Sequence, residues 1–133
     1  MEKTVVIIDD SPFMAAMLEA FFSETLNFRV VAVGTNGVHA VSLYKKHRPD
    51  LLTMDLTMPV KDGKTALKEI ICEFPEANIL MITGQLGNPI IECIKSGAAG
   101  YVEKPLRFES EDFVKSFTAT IHGAIDSNRV KVG

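Results

Sequence analysis

Residues 51–59 read LLTMDLTMP, an apolar run that ends in a carboxylate and leads to a proline. A short apolar run bounded by turn-forming residues is typical of a strand covered on both faces of a parallel sheet. Asp55 then lies at the end of a buried strand, where an unpaired charge costs free energy. The presence of a carboxylate there must therefore be explained by the other side chains that the fold brings to the same position.

Short apolar runs alternate along the chain with longer segments of helical period. The predicted strands are Thr4–Ile8, Arg29–Val33, Leu51–Met54, Asn78–Ile82 and Gly100–Val102. Each gap between strands holds one helix, so every crossover should be parallel and right-handed. The sequence therefore predicts an α/β fold, a doubly wound (βα)5 sheet of five parallel strands with helices on both faces.

Capping and turn residues support these boundaries. Ser11 and Pro12 read as an N-cap and a first helical residue. Pro49 stops the second helix, and Gly97 closes a helix that begins near Pro89. The last helix is expected to begin near Glu109.

The composition is that of one soluble globular domain. The chain has 133 residues, 47% of them hydrophobic and 23% charged, and a formal net charge of −3. We expect one domain over residues 1–126 and a short tail over residues 127–133. No apolar run is long enough for a membrane span, and no basic cluster indicates nucleic-acid binding. Two isolated cysteines, Cys72 and Cys93, favour a reducing, cytoplasmic location.

Polar side chains follow four of the five predicted strands. Asp9 and Asp10 follow the first strand, Asp55 the third, Thr83 the fourth, and Lys104 comes shortly after the fifth. In open parallel sheets, ligands bind beyond the carboxyl ends of the strands, where the strand order reverses. These residues, which are distant in sequence, are therefore expected at one edge of the sheet.

The predicted cluster suits phosphoryl chemistry. Three neighbouring carboxylates repel one another, and a divalent cation or the Lys104 ammonium would relieve that repulsion. Magnesium takes oxygen ligands and is often shared with a phosphate. A carboxylate can also attack phosphorus, so Asp55 is a candidate acceptor, with Lys104 and the Thr83 hydroxyl on the phosphoryl oxygens.

Four motifs in a fixed order carry a family resemblance. They are VVIIDDSP (residues 5–12), PDLLTMDLTMPVKDG (49–63), ILMITG (79–84) and SGAAGYVEKPL (96–106). With this order and spacing the chain resembles the receiver domains of two-component response regulators, and in size and layout the stand-alone chemotaxis type. The resemblance implies a flavodoxin-like sheet with strand order 2-1-3-4-5.

The resemblance implies a metal site and a phosphorylation site. Asp55 would be phosphorylated by a histidine kinase and would contribute to binding Mg²⁺. Asp10 would bind the metal directly, Asp9 would assist through water, and the Thr57 carbonyl would be a further ligand. The domain would be a signalling module rather than an enzyme, with self-assisted phosphotransfer and slow autodephosphorylation only.

The resemblance also implies a switch. Thr83 and Lys104 would hold the phosphoryl group, and Tyr101 would turn inward on activation. The face formed by the fourth helix, the fifth strand and the fifth helix would then regulate a downstream protein or output domain. A homodimer formed on phosphorylation is compatible with this scheme, whereas direct contact with nucleic acid or membrane is not expected.

Three rival functions use parts of the same pattern. A flavin-binding electron carrier would need a hydroxyl- and glycine-rich loop after the first strand, where this chain has Asp-Asp-Ser-Pro. A phosphatase of the haloacid dehalogenase class would need a second acid two residues after Asp55, where Thr57 stands. A degenerate receiver would serve for docking alone, although all five site positions are filled here.

Single residues also have ordinary structural explanations. Asp9 and Asp10 could simply favour the N-terminus of the helix that follows. Thr83 could bond to the backbone, Lys104 could be a solvated surface residue, and Tyr101 could be an amphipathic strand residue. The prediction of a site depends on the combination.

Overall fold

The computed structural model describes residues 2–126, which form one parallel sheet with helices on both faces. The strands are β1 (Thr4–Ile8), β2 (Arg29–Gly34), β3 (Leu51–Met54), β4 (Ile79–Thr83) and β5 (Gly100–Glu103). The helices are α1 (Pro12–Ala20), α2 (Gly37–His47), α3 (Gly63–Glu73), α4 (Asn88–Lys95) and α5 (Glu111–Asp126). The expected tail over residues 127–133 lies outside the described residues.

The strand order is β2-β1-β3-β4-β5, and all neighbouring strands are parallel. This confirms the predicted fold and order. The chain steps outward from β1 to β2 and then returns to the other side of β1 with β3, so the order reverses between β1 and β3. Ile8 pairs with Met54 across these strands, which brings the following residues, Asp9 and Asp55, to the same place at the carboxyl edge.

The observed boundaries correct three predicted strands: β2 and β5 each end one residue later than predicted, at Gly34 and Glu103, and β4 is shifted. β4 begins at Ile79 and ends at Thr83, one residue later than the prediction. Thr83 pairs with Glu103, and its carbonyl oxygen accepts the N–H of Lys104 at 2.9 Å. The cross-strand ladder therefore extends β4 through Thr83, which is the last strand residue rather than the first loop residue.

The sequence pattern did not predict a π-helical turn, Phe21–Thr25, directly after α1. Its N–H···O bond joins Leu26 to the carbonyl of Phe21 at 3.2 Å. The wider turn allows the consecutive side chains of Phe21 and Phe22 both to be buried. Phe21 stacks on Phe117 of α5, with ring centroids 5.2 Å apart, so an aromatic contact stabilises the irregular turn.

Two hydrophobic layers enclose the sheet. Val5 and Ile7 of β1 pack in the layer under α1 and α5, whereas Val6 and Ile8 pack in the layer under α2, α3 and α4. This alternation explains why the central strands β1, β3 and β4 are apolar at nearly every position, since both of their faces are covered. Within residues 2–126, none of the helices has the length and apolar character needed to cross a membrane.

Candidate functional site

Three carboxylates meet at the carboxyl edge of the sheet. Asp9, Asp10 and Asp55 each offer a carboxylate oxygen, and these oxygens lie within 4.8 Å of one another. The backbone ladder positions two of them: Asp9 N–H donates to the Gly34 carbonyl at 3.0 Å, and Asp55 N–H donates to the Ile8 carbonyl at 3.1 Å. Asp9 is 1% exposed and Asp55 is 9% exposed, whereas Asp10 is exposed.

Lys104 joins two of these carboxylates from the end of β5. Its Nζ donates to Oδ2 of Asp9 at 3.1 Å and to Oδ2 of Asp55 at 3.2 Å. One ammonium therefore pairs with two of the three acidic side chains of the cluster. The three carboxylates carry more negative charge than one ammonium can balance, so binding of a further cation would be electrostatically favourable.

Burial and charge change the pKa values of the paired groups. Burial raises the pKa of Asp55 above its ordinary value, and the attraction and hydrogen bond of Lys104 only partly offset this, with Asp9 raising it further. Burial alone would lower the pKa of the Lys104 ammonium, but attraction to Asp55 and Asp9 outweighs it and raises that pKa. At Lys104 the attraction outweighs burial because the ammonium has two acidic partners. At Asp55 it does not, because the carboxylate has one basic partner and an acidic neighbour.

The two consecutive acids have different surroundings. Both carboxylate oxygens of Asp9 are engaged, Oδ1 by the N–H of Ser11 at 2.9 Å and Oδ2 by Lys104. Asp10 makes no hydrogen bond or ion pair with the other residues of the described range. The carboxylate of Asp10 is therefore the more available of the two, and the division into a direct and an assisting metal ligand stays a prediction.

The loop after Asp55 folds back tightly over the strand end. Thr57 N–H lies 3.4 Å from Oδ1 of Asp55, and Gly63 N–H donates to the Leu56 carbonyl at 2.8 Å. A side chain at Gly63 would place its Cβ 2.1 Å from the Asp55 carbonyl oxygen, so only glycine fits there. Asp62 then caps α3 by accepting the N–H of Thr65 at 2.8 Å.

Thr83, at the end of β4, and Tyr101, in β5, make no hydrogen bond to the acidic cluster. The buried Thr83 hydroxyl oxygen accepts the N–H of Gln85 at 3.0 Å, which leaves its own proton free for another acceptor. Tyr101 pairs with Met81 across β4 and β5 and is 47% exposed. The structure thus brings Asp9, Asp55 and Lys104 into contact, with Thr83 one strand away and the tyrosine on the surface.

The sequence reasoning missed one buried polar group below the site. Thr53 precedes Asp55 by two residues, is 1% exposed, and its hydroxyl has no hydrogen-bond partner. Its strand neighbours are Ile7 and Leu80, which offer no polar side chain. A threonine inside an apolar run was the only available signal, and sequence alone cannot show whether such a hydroxyl finds a partner.

Comparison with known proteins agrees with this geometry. Residues 5–116 match the family model described as the response regulator receiver domain. The chain therefore belongs to the response regulator receiver domain family, whose members act in two-component signalling.

The relatives narrow the type of receiver. The chain is 39% identical over 124 residues to chemotaxis protein CheY of Bacillus subtilis, covering 92% of this chain and 100% of that protein. It is 40% identical over 109 residues to CheY of Thermotoga maritima, covering 80% and 89%. A CheX-CheY-BeF3-Mg+2 complex from Borrelia burgdorferi superposes with a TM-score of 0.81 at 28% identity, covering 90% and 87%. The fold and acidic cluster are those of a CheY-like receiver domain.

Proposed function

We propose that this domain accepts a phosphoryl group on Asp55 from a histidine kinase and passes the signal to a protein partner through the face formed by α4, β5 and α5. The observation that carries the proposal is the position of Asp55. Its carboxylate is recessed, contacts the Lys104 ammonium, and lies within 4.8 Å of two further acids. A structural ion pair alone would not require the two additional carboxylates.

The donor set fits magnesium. Carboxylate oxygens of Asp9, Asp10 and Asp55 lie within reach of one ion, and oxygen ligands of this kind suit Mg²⁺. Asp10 and Asp55 would hold it with the Thr57 carbonyl, and Asp9 would act through water. When bound, the ion would neutralise charge on the phosphoryl oxygens. The Borrelia burgdorferi relative is described with Mg+2 in its complex.

Phosphoryl transfer would be in line. A carboxylate oxygen of Asp55 attacks the phosphorus of a phosphohistidine, an O–P bond forms, and the N–P bond breaks with its electron pair returning to the imidazole nitrogen. Lys104 remains protonated, since its pKa is raised by the two acids. Its ammonium is then placed to donate to the phosphoryl oxygens that replace the free carboxylate charge.

The same chemistry suggests how the signal leaves the site. A phosphoryl group on Asp55 adds strong acceptors, and the Thr83 hydroxyl has a free proton to donate. Movement of Thr83 toward those acceptors would change the space beside β5, where Tyr101 is half-exposed. An inward turn of Tyr101 would alter the exposed surface of α4 and β5, on which Ile91 and Ile94 also lie.

Acetyl phosphate with Mg²⁺ tests the central claim. Intact-mass analysis should show one added phosphoryl group on the wild-type chain, and Asp55→Asn should abolish it. Asp62→Asn is the matched control, because it makes the same chemical change in the same loop but retains a capping oxygen. Labelling of Asp55→Asn equal to that of the wild type would refute the assignment.

A further inference from the structure

The loop between Asp55 and α3 contains a strained residue. Val60 has a φ of +69°, a region that β-branched residues rarely occupy. The N–H of Lys61 donates to the Pro59 carbonyl at 2.7 Å, which closes a γ-turn of the positive-φ kind around Val60. The Val60 side chain is 83% exposed, so its own packing does not compensate for this conformation. Contacts made by the neighbouring residues must therefore hold the turn.

Lys61 supplies these contacts with both its backbone and its side chain. Its carbonyl accepts the N–H of Gly37, the first residue of α2, at 2.8 Å. Its Nζ lies 2.6 Å from Oε1 and 2.7 Å from Oε2 of Glu69 in α3. Together with the γ-turn bond to Pro59, these contacts join the loop to α2 and to α3. We call the contacts of Lys61 with Pro59, Gly37 and Glu69 the Lys61 clamp.

The Lys61 clamp is closely packed. A Cβ at Gly37 would lie 2.5 Å from the Lys61 carbonyl oxygen, so glycine is the residue that permits this approach of α2 to the loop. The ion pair is partly shielded, because the side chain of Lys61 is 25% exposed and that of Glu69 is 43% exposed. Lys45 and Glu73 form another ion pair between α2 and α3, at 3.3 Å, and both of its side chains are more exposed. Water therefore screens the Lys61 pair less than the Lys45 pair.

The Lys61 clamp lies at one end of the stretch that folds back over Asp55. At the other end of that stretch, the Thr57 N–H lies 3.4 Å from Oδ1 of Asp55. The Thr57 carbonyl is the metal ligand predicted here. Because a backbone carbonyl lies in the peptide plane, its direction is set by the conformation of residues 57–60 and not by a side-chain torsion. Relaxation of the strained turn at Val60 would therefore turn the carbonyl.

We propose that Lys61 is a positioning residue, which holds the strained turn at Val60 so that the Thr57 carbonyl is directed toward Mg²⁺. The inference rests on the proposed magnesium-dependent phosphorylation of Asp55 and adds the residue that arranges the metal-binding loop. Lys61 touches neither the metal nor the phosphoryl group. It acts through the backbone between Thr57 and Val60.

Charge and positioning predict opposite effects of removing the Lys61 ammonium. Loss of a positive charge from the loop of an acidic site would by itself strengthen Mg²⁺ binding. Loss of the contact with Glu69 would weaken it, because the turn is then free to relax. We expect the affinity of Lys61→Met for Mg²⁺ to fall roughly threefold to fivefold, the scale of a partly exposed ion pair. Isothermal titration calorimetry of the full chain with Mg²⁺ alone measures the change.

A second variant tests the Lys61 clamp without altering charge. The added Cβ of Gly37→Ala pushes against the Lys61 carbonyl, so its Mg²⁺ affinity should fall by at least as much. Lys45→Met is the matched control. It removes the other ion pair between α2 and α3, which lies outside the loop, and should bind Mg²⁺ as the wild type does.

Relief of the strain should rescue the loss. Glycine adopts a positive φ without steric cost, so the turn of the double variant Val60→Gly, Lys61→Met no longer needs the ion pair. We expect its affinity for Mg²⁺ to return to within about twofold of the wild-type value. Thermal unfolding in chelator should remain cooperative in Lys61→Met, which separates a displaced loop from an unfolded domain.

Unchanged or tighter Mg²⁺ binding by Lys61→Met would overturn the positioning role, and so would a double variant as weak as Lys61→Met. Absence of Mg²⁺ binding to the wild type would overturn it as well. Weaker binding by Lys61→Met in a chain that acetyl phosphate fails to label would uphold the positioning role and refute the phosphorylation of Asp55. Labelling of the wild type with unchanged Mg²⁺ affinity in Lys61→Met would do the reverse.

Discussion

Lys104 Nζ lies 3.2 Å from Oδ2 of Asp55, joining the end of β5 to the end of β3 across the intervening strand. The carboxylate is nearly buried and the ammonium is about one-fifth exposed. A pair in this position is neither a surface salt bridge nor a fully buried one. Its partners therefore affect the stability of the fold as well as the chemistry of the site.

Removal of the ammonium should destabilise the domain. Lys104→Met leaves Asp9 and Asp55 without their shared partner, and we expect the free energy of unfolding to fall by about 2 kcal/mol in chelator at neutral pH. Adding Asp55→Asn should recover part of that loss, because one buried charge is removed. Urea denaturation of the two single variants and the double variant measures the coupling energy between Lys104 and Asp55. Strictly additive changes in the free energy of unfolding would show that this contact does not stabilise the fold.

Mg²⁺ should stabilise the folded domain. A ligand that binds only the native state raises the midpoint of thermal unfolding by mass action, and the acidic cluster supplies the site. Asp10→Ala should reduce the shift, since it removes the carboxylate that has no protein partner. Asp112→Ala, which removes an exposed acid at the start of α5, should respond to Mg²⁺ as the wild type does. An equal response in Asp10→Ala would place the direct ligand elsewhere, with Asp9 next.

Thr83→Ala should separate labelling from signalling. Asp55 should still accept a phosphoryl group, but the Tyr101 environment should respond less, because the hydroxyl that links the two is absent. Nuclear magnetic resonance shifts around Tyr101, with and without beryllofluoride as the phosphoryl mimic, report the coupling. Equal changes at Tyr101 in the wild type and in Thr83→Ala would rule out this relay.

The unpaired hydroxyl of Thr53 should cost stability. Thr53→Val keeps the shape and removes a buried polar group that has no partner, so we expect a gain of about 1 kcal/mol. Thr4→Val is the matched comparison. The Thr4 hydroxyl donates to Asp50 Oδ2 and accepts the Asp50 N–H, so its loss should destabilise by a similar amount. A loss of stability in Thr53→Val would mean that its hydroxyl is paired in solution.

The cap of α3 should make stability depend on pH. Hydrogen bonding from the Thr65 backbone lowers the pKa of Asp62 below its ordinary value of 3.8. A lowered folded pKa means that this contribution is present above about pH 4 and is lost as the pH falls through the folded value. Asp62→Ala should cost about 1 kcal/mol at pH 7 and less at pH near 3. Asp62→Asn keeps a hydrogen-bond acceptor without the charge, so its loss of stability should differ less between pH 7 and pH near 3. A cost for Asp62→Ala that is independent of pH would contradict a charged cap.

Local patterns were sufficient to predict the framework of the site. The apolar runs around Val5 and Leu51 predicted two central strands, and the parallel arrangement placed Asp9 and Asp55 at one edge. These predictions succeeded because a strand covered on both faces is apolar at nearly every position, and because the carboxyl ends of parallel strands meet at one edge. Both properties are contained in short stretches of sequence.

The contacts within that framework required the tertiary structure. Lys104 reaches both Asp9 and Asp55, and the Thr53 hydroxyl finds no partner, because of the register between strands that are far apart in sequence. The strained turn at Val60 likewise follows from the loop folding back over the strand end. The sequence determined which side chains reach the carboxyl edge of the sheet. Only the packed fold decided which of their atoms are paired, unpaired or exposed, since those distances depend on the position of every neighbouring strand.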